Sequence, residues 1–360
     1  MSAPKLLMLA SPEGDAMLRD VVALCAALRD EFEVRVLATN DERERFEGTG
    51  AVFERWRPSG FIGMGASISK LRRTVEREQP DIVHAHGFPA IAVALGTFPS
   101  RLAKRTIATF HDPQRDKELP KKLVERRLPG YLRRGAALTA TYESLARALE
   151  ERLILDDGAI SVIPHGVELP PGDTPLTRPP ARPGPVVGWS GSLSADRAWE
   201  TAIDAFVKVR AQRPEARMQI AGTGRARQFI AAHARNAGVA DSVEFRGDIG
   251  AAELFAAIDV LIVPISRDAQ PQAPLEALAW GIPVVAANGG ALAEAIGPFP
   301  TGWLVPDDAE GFREGIEAAW SRIDDAWAGA AAQRSAAAKF GRERTVEAYR
   351  ERYARALASE

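Results

Sequence analysis

The feature that most constrains the fold is an alternation of short β-rich runs with longer amphipathic stretches, which occurs in both halves of the chain. In the first half, runs such as KLLMLA and DIVHAHG alternate with helix-like segments such as MLRDVVALCAALRD. In the second half, PVVGWSGSL, RMQIAGTG and DVLIVPI alternate with segments such as WETAIDAFVKVRAQR. Such alternation is typical of parallel sheets covered by helices on both faces. The sequence therefore predicts an α/β protein with two doubly wound, Rossmann-like domains.

A proline-rich segment separates the two halves. Residues 168–185 contain seven prolines in eighteen positions, and proline can continue neither a helix nor a ladder of strand hydrogen bonds. The length of 360 residues also suits two domains of roughly 150 residues each. We therefore predict a first domain over residues 1–170, a linker over 171–185 and a second domain over 186–339.

Composition excludes several classes of protein. No stretch approaches the ~20 apolar residues of a membrane-spanning helix, and the short apolar run at the N-terminus predicts a first strand and not a signal peptide. The single cysteine, Cys25, excludes an internal disulfide and a cysteine-rich metal site. We expect a cytoplasmic protein without a nucleic-acid partner.

One segment is strongly basic. Residues 101–134 hold eleven Lys or Arg against four Asp or Glu, and basic residues stand beside Leu, Val and Tyr. A surface of this kind suits phosphate groups or an anionic membrane, which would place the protein at the inner face of the membrane. The alternative is a solvated helix face.

Residues 259–296 carry the most informative pattern. The apolar run DVLIVP predicts a buried strand, and a polar loop separates it from a short helix with Pro274 near its first position. Gly281 ends that helix, and IPVVAAN predicts the next strand. The free N–H groups of the helix start favour an anion, and Glu276 in the first turn would lie beside it. The alternative is that Glu276 only complements the helix dipole.

This stretch resembles the signature of the retaining family 4 glycosyltransferases (glycosyl transferases group 1). In that family, two acidic residues eight positions apart precede a short helix and a Gly-x-Pro-Val-Val strand, and Asp268 and Glu276 occupy those positions here. The resemblance implies the GT-B fold, in which two Rossmann-like domains face a cleft. The first domain would bind the acceptor and the second the nucleotide-sugar donor. It also implies that the C-terminal helix, residues 340–360, packs back on the first domain.

The resemblance further implies roles for individual residues. Asp268 would contact hydroxyls of the donor sugar, Glu276 would contact the ribose, and His111 would face the transferred sugar. The segments GWSGSLSADRAWETAIDAF, IAGTGRARQFI and VEFRGDI are similar to the family's diphosphate and nucleobase loops. The donor-binding residues implied in this way are Gly14, Gly191, Ser192, Arg197, Gly222, Arg246, Gly247, Pro274 and Leu275.

The implied activity is transfer of a sugar from a UDP- or GDP-sugar to a carbohydrate or lipid-linked acceptor, with retention and without a metal or other cofactor. This would serve glycan, polysaccharide or glycolipid assembly. Four features depart from the family pattern: Ser192 replaces Arg, Asp268 replaces Glu, Pro271 replaces Gly, and the first loop has only Gly14. These departures leave open a non-catalytic GT-B binding protein, and GT-B epimerases and phosphorylases are further alternatives.

Overall fold

The computed structural model describes residues 3–11, 15–57, 61–97, 100–111, 126, 128, 130–171, 182–191, 193, 198–264 and 272–358. The chain divides into two compact units. The first unit consists of Met1–Gly166 and Arg342–Glu360, and the second of Val167–Gly341. Most of the predicted linker, residues 172–181, lies outside the described residues.

The first unit contains a seven-stranded sheet in which every described pair of neighbouring strands is parallel. Its strands are β1 (Lys5–Ala10), β2 (Glu33–Ala38), β3 (Val52–Arg55), β4 (Ile82–His86), β5 (Thr106–Phe110), β6 (Ala137–Ala140) and β7 (Ile160–Val162), in the order β3-β2-β1-β4-β5-β6-β7. Its helices among the described residues are α1 (Asp15–Leu28), α2 (Phe61–Glu78), α3 (Phe88–Thr97) and α4 (Glu143–Leu153). The order reverses its direction between β1 and β4, so the sheet is doubly wound as predicted.

The central strands are buried along almost their whole length. In β1, the residues after Lys5 are all buried, and β4 and β5 are buried throughout. Near-continuous burial is expected for parallel strands, because helices cover both faces of the sheet. Cys25 lies in the core with its thiol 3.6 Å from the sulfur of Met8, and burial raises its pKa to about 12. The thiol is thus protonated and part of the packing.

The second unit contains a six-stranded parallel sheet. Its strands are β8 (Val186–Ser190), β9 (Arg217–Ala221), β10 (Val243–Gly247), β11 (Val260–Val263), β12 (Val284–Ala287) and β13 (Gly302–Val305), in the order β10-β9-β8-β11-β12-β13. Its helices are α5 (Ala198–Gln212), α6 (Arg227–Asn236), α7 (Ala251–Phe255), α8 (Gln272–Ala279), α9 (Gly290–Ile296), α10 (Ala309–Ser321), α11 (Ile323–Ala328) and α12 (Ala330–Ala337). The strand order again reverses next to the first strand of the unit, here between β8 and β11.

The C-terminal segment returns to the first unit. Helix α13 (Arg342–Ala358) belongs to that unit, and it buries Val346, Tyr349, Tyr353 and Ala356 among residues of α1, β1 and β4. These four residues are spaced three or four apart, which is the spacing of one helix face. Gly341 separates α13 from a 3₁₀ turn, and Gly329 ends helix α11.

Candidate functional site

In the second unit, three glycines bring the strand ends β8, β9 and β10 into backbone contact. The N–H of Gly222 donates to the carbonyl oxygen of Gly247 at 2.7 Å, and the N–H of Gly191 donates to that of Ala221 at 3.1 Å. A Cβ at Gly222 would lie 1.9 Å from the carbonyl oxygen of Gly191, and φ at Gly222 is +127°. Only glycine fits this position. The close approach leaves these turns without side chains, so a ligand can reach their backbone.

Replacing Gly222 by alanine should therefore destabilise the second unit. Both the positive φ and the contact with the Gly191 carbonyl oppose a Cβ, and we expect a loss of about 2–3 kcal/mol in the free energy of unfolding. Urea-induced unfolding would measure it. Gly250→Ala is the matched control, because a Cβ there meets nothing within 4 Å. If both substitutions lowered the free energy of unfolding equally, the close contact between Gly222 and Gly191 would not be the cause.

Helix α8 follows β11 and carries Glu276. The helix begins at Gln272, so Pro274 is its third residue, near the start as predicted. Pro274 removes no intrahelical hydrogen bond there, because the first four N–H groups of a helix have no partner within it. The prediction that Glu276 lies in the first turn is wrong, since no acidic residue occupies that turn. Glu276 is the fifth residue of the helix, because the helix starts before Pro274.

The side chain of Glu276 is only 5% exposed. Its Oε1 accepts a hydrogen bond of 3.4 Å from the backbone N–H of Glu168. Leu275 beside it is also buried and belongs to the core of the second unit. Glu276 is thus a buried carboxylate that is bound by Glu168, near the start of the second unit. Its role is therefore more than an interaction with the dipole of its own helix.

Arg246, on the outer strand β10, has protein partners for its guanidinium group. Its Nη1 donates to Gln219 Oε1 at 2.9 Å, and its Nη2 contacts Glu253 Oε1 at 2.7 Å. Glu244 lies 3.6 Å from its Nε. Two carboxylates therefore offset the charge of Arg246, and a ligand phosphate would compete with them. Four other predicted site residues, Gly14, Ser192, Arg197 and Asp268, lie outside the described residues, as does the departure at Pro271.

In the first unit, four of the five histidines of the chain lie together, fully or almost fully buried. This histidine cluster consists of His84, His86, His111 and His165. His84 and His86 alternate along β4 and so face the same side of the sheet. β4 and β5 pair with His86 beside Thr109, and His111 lies two residues further along the same side.

Short contacts connect the members of the histidine cluster. His86 Nδ1 is 3.0 Å from His111 Nε2, and the rings of His84 and His86 have centroids 3.8 Å apart. His84 Nδ1 is 2.7 Å from the hydroxyl of Tyr353, and its Nε2 is 2.7 Å from Thr109 Oγ1. His86 thus contacts the ring of His111 and helps to orient it.

The histidine cluster is electrically neutral at three of its positions. Burial lowers the pKa of His86 to about 3, and it holds the pKa values of His84 and His111 well below their ordinary 6.5. Neighbouring imidazoles lower these pKa values further. The sequence analysis identified His111 as a residue facing the transferred sugar, and a neutral His111 can offer a hydrogen bond but no positive charge.

Asp20 also belongs to this site and was not predicted from the sequence. This residue of α1 is buried, and its Oδ2 forms a very short contact with Nδ1 of His165. Its Oδ1 accepts a hydrogen bond of 3.2 Å from the N–H of Gly166. No local sequence pattern predicts this pair, because 145 residues separate Asp20 from His165.

Two family models match the chain. A model described as "Glycosyltransferase Family 4" matches residues 19–169, and one described as "Glycosyl transferases group 1" matches residues 184–322. A 2-deoxystreptamine N-acetyl-D-glucosaminyltransferase of Streptomyces fradiae is 27% identical over 306 residues, which cover 77% of this chain and 70% of that protein.

Solved structures share the fold. A glycosyltransferase from Rickettsia africae ESF-5 aligns over 100% of both chains with a TM-score of 0.81 and 16% sequence identity. Anabaena Alr3699/HepE in complex with UDP aligns over 96% of this chain and 98% of its own, with a TM-score of 0.75 and 18% identity. At these identities the likeness shows the fold alone, and that fold is GT-B.

Among the described residues, every helix is too short or too polar to cross a bilayer. The basic segment 101–134 is described only in part, since residues 112–125, 127 and 129 lie outside the described residues. Within the described part, Arg133 and Arg134 are exposed. A surface contact with anionic lipid remains a prediction.

Proposed function

Because the chain belongs to the family 4 glycosyltransferases (group 1), we propose that it transfers a sugar from a nucleoside-diphosphate sugar to a hydroxyl acceptor, with retention of the anomeric configuration. The observation that carries this proposal is the buried carboxylate of Glu276 on the helix that follows β11. The UDP complex of the similar Anabaena protein supports a uridine donor, and GDP-sugars are the second class to test.

The second unit would bind the donor. The bare glycine turns at Gly191, Gly222 and Gly247 let the nucleotide approach the backbone. The start of α8, whose first N–H groups have no partner within the helix, favours its diphosphate. Glu276 would accept hydrogen bonds from ribose hydroxyls, and Asp268 from those of the sugar.

Departure of the diphosphate is the main barrier, because charge separates as the bond to the anomeric carbon breaks. Fixed dipoles and cations aimed at that leaving group lower such barriers, and Arg197 is the cation proposed for this role. The leaving phosphate would take the proton of the acceptor hydroxyl, so the transfer itself needs no metal. The first unit would bind the acceptor, a carbohydrate or a lipid-linked saccharide. There His111, held by His86, would donate a hydrogen bond to the transferred sugar.

Glu276→Gln should lower kcat/KM about 100-fold with the correct donor. Glutamine keeps an acceptor for the N–H of Glu168, but it loses charge-assisted hydrogen bonds to ligand hydroxyls, which are worth ~1.5–3 kcal/mol each. Glu314→Gln, an exposed position on α10, is the control and should leave the rate unchanged. Turnover near that of the unsubstituted enzyme would contradict the role of Glu276.

The donor is found by incubating the purified protein with UDP- and GDP-sugars and a panel of saccharide acceptors. Mass spectrometry would detect the product, and the anomeric coupling constant in its NMR spectrum would report retention or inversion. An inverted product would overturn the retaining mechanism. Tight binding of UDP with no turnover of any donor would instead favour the non-catalytic binding protein.

The basic segment 101–134 is proposed to hold the enzyme at an anionic membrane near a lipid-linked acceptor. Exposed charges are screened over ~8–10 Å at physiological ionic strength, so binding to phosphatidylserine vesicles should be strong at low salt and fall as salt rises. Reversing Arg133 and Arg134 to Glu should weaken binding about tenfold or more, at ~1 kcal/mol per basic residue. Reversing the exposed Arg55 and Arg57 is the control of equal charge. Absence of vesicle binding at low salt would exclude this contact.

A further inference from the structure

The histidine cluster contains polar atoms that the described protein groups do not satisfy. Nε2 of His86 and Nε2 of His165 are buried and have no hydrogen-bond partner within the described part of the chain. Leaving such a group unsatisfied costs roughly 1–3 kcal/mol. The unsatisfied nitrogen of His165 therefore indicates that a ligand, and not only protein, completes the site.

The donor set nearby suits a transition metal. Asp20, His111 and His165 each offer one ligand atom, these atoms all lie within 4.8 Å of one another, and all three residues are buried. Zinc bonds of ~2.0–2.2 Å in a tetrahedral site bring donor atoms to roughly 3.3–3.5 Å from each other, so small side-chain shifts suffice. Two imidazoles with one carboxylate favour Zn²⁺ over Mg²⁺ or Ca²⁺, which prefer oxygen ligands.

The surrounding contacts orient these donors. His86 Nδ1 lies 3.0 Å from His111 Nε2 and so fixes the orientation of the His111 ring. The N–H of Gly166 holds one carboxylate oxygen of Asp20. His84, whose ring centroid lies 3.8 Å from that of His86, is fixed by Tyr353 and Thr109. Partners of this kind set the tautomer and direction of metal-binding histidines.

We propose that Asp20, His111 and His165 bind a divalent transition metal ion of the zinc class, and that the bound ion inhibits the enzyme by holding His111. The second part rests on the proposed function, in which His111 contacts the transferred sugar. Three protein ligands leave a fourth position for water. The bound ion is regulatory: it takes His111 away from the transferred sugar and does not assist the transfer.

Calorimetric titration of tag-free, chelator-treated protein with Zn²⁺ tests the site without any activity measurement. We expect one ion per chain, no comparable binding of Mg²⁺, and at least about 100-fold weaker zinc binding by His165→Asn. The matched control is His233→Asn, which removes a histidine on α6 of the second unit that pairs with Asp204. Absent zinc binding, or equal binding by His165→Asn, would overturn the site and leave water as the filler of the cluster.

Should His165→Asn fail to fold, the Co²⁺ complex of the unsubstituted protein decides the matter. A tetrahedral nitrogen and oxygen ligand set gives visible d–d bands without thiolate charge-transfer bands. Cobalt bands with thiolate character, or no bands at all, would overturn the assignment.

The inhibition is tested in the transfer assay with zinc held at buffered concentrations. Saturating zinc should reduce turnover at least tenfold, and EDTA should restore it. Zinc that binds but leaves turnover unchanged would overturn the inhibitory part of the proposal. If no donor is turned over in any condition, the proposed function fails, while the calorimetric titration still decides whether the metal site exists.

Discussion

Replacing Tyr353 by alanine should lower the free energy of unfolding of the first unit by about 3–5 kcal/mol, as expected for truncating a buried aromatic side chain. Tyr353 is completely buried, its ring packs edge-on against Phe32 at 5.7 Å, and its hydroxyl is 2.7 Å from His84. The loss combines a cavity in the core with an unsatisfied buried imidazole. Because Tyr353 lies on α13, the same result would show how strongly the last helix stabilises the unit formed by the beginning of the chain.

Two further variants separate the contributions. Tyr353→Phe keeps the ring and removes only the hydroxyl, so it should cost about 1–3 kcal/mol through the unsatisfied His84. Arg355→Ala changes an exposed residue of the same helix, whose contact with Glu351 is a surface pair, and should stay within about 0.5 kcal/mol. Urea-induced unfolding followed by near-UV circular dichroism would measure all three. A Tyr353→Ala protein as stable as Arg355→Ala would contradict the packing of α13.

Acidification should destabilise the metal-free protein well before its carboxylates titrate. The unfolded chain protonates its histidines as the pH falls below about 6.5, whereas burial lowers the pKa of His86 to about 3 and that of His84 and His111 in the same direction. As the pH falls below about 6.5, the unfolded state therefore binds more protons than the folded state does. The contribution of these histidines to the free energy of unfolding is therefore complete above the pKa of the unfolded chain. It is lost as the pH falls from there toward their pKa in the folded protein.

The expected slope is large. Each such histidine removes about 1.4 kcal/mol per pH unit, and three together remove about 4 kcal/mol per unit. Domains are typically stable by about 5–15 kcal/mol, so a loss of this size should destabilise the first unit strongly in mild acid. Ion-paired surface carboxylates such as Glu78 and Glu310 have pKa values below 4.5, so they do not contribute between pH 6.5 and 5.

Urea midpoints measured in EDTA at pH 7.5, 6 and 5 would give this slope. His84→Gln should reduce it by about one third, and the control His233→Asn should not change it. A midpoint that stays constant from pH 7.5 to 5 would mean that the histidine cluster accepts protons in the folded state, contrary to its burial.

Local patterns in the sequence predicted most of the secondary structure. The apolar runs at β1, β4, β5 and β11 identified their strands, because parallel strands buried on both faces must be continuously apolar. Four short strands, β3, β6, β7 and β13, were not predicted. Each has only three or four residues, and so short a run does not differ from an apolar loop until neighbouring strands pair with it.

The candidate site divides in the same way. The motif around Glu276 identified that residue, because a strand, a loop and a helix start lie next to one another in the sequence. The prediction that Glu276 lies in the first turn of the helix was wrong, since a helix start depends on its capping contacts and not on one proline. The glycines at 191, 222 and 247 were singled out by motif, but their mutual contact required the three strand ends to meet.

The sequence by itself determined the doubly wound α/β class, the family, the strand end that precedes His111 and the helix that carries Glu276, because these follow from periodicity and local motifs. Only the tertiary structure decided that four histidines share one buried cluster, that Asp20 reaches His165, and that Tyr353 closes the cluster from the last helix. These partners lie 145 and 269 residues apart in the chain. Their meeting depends on the order and register of the parallel strands and on the return of α13, which no local pattern encodes.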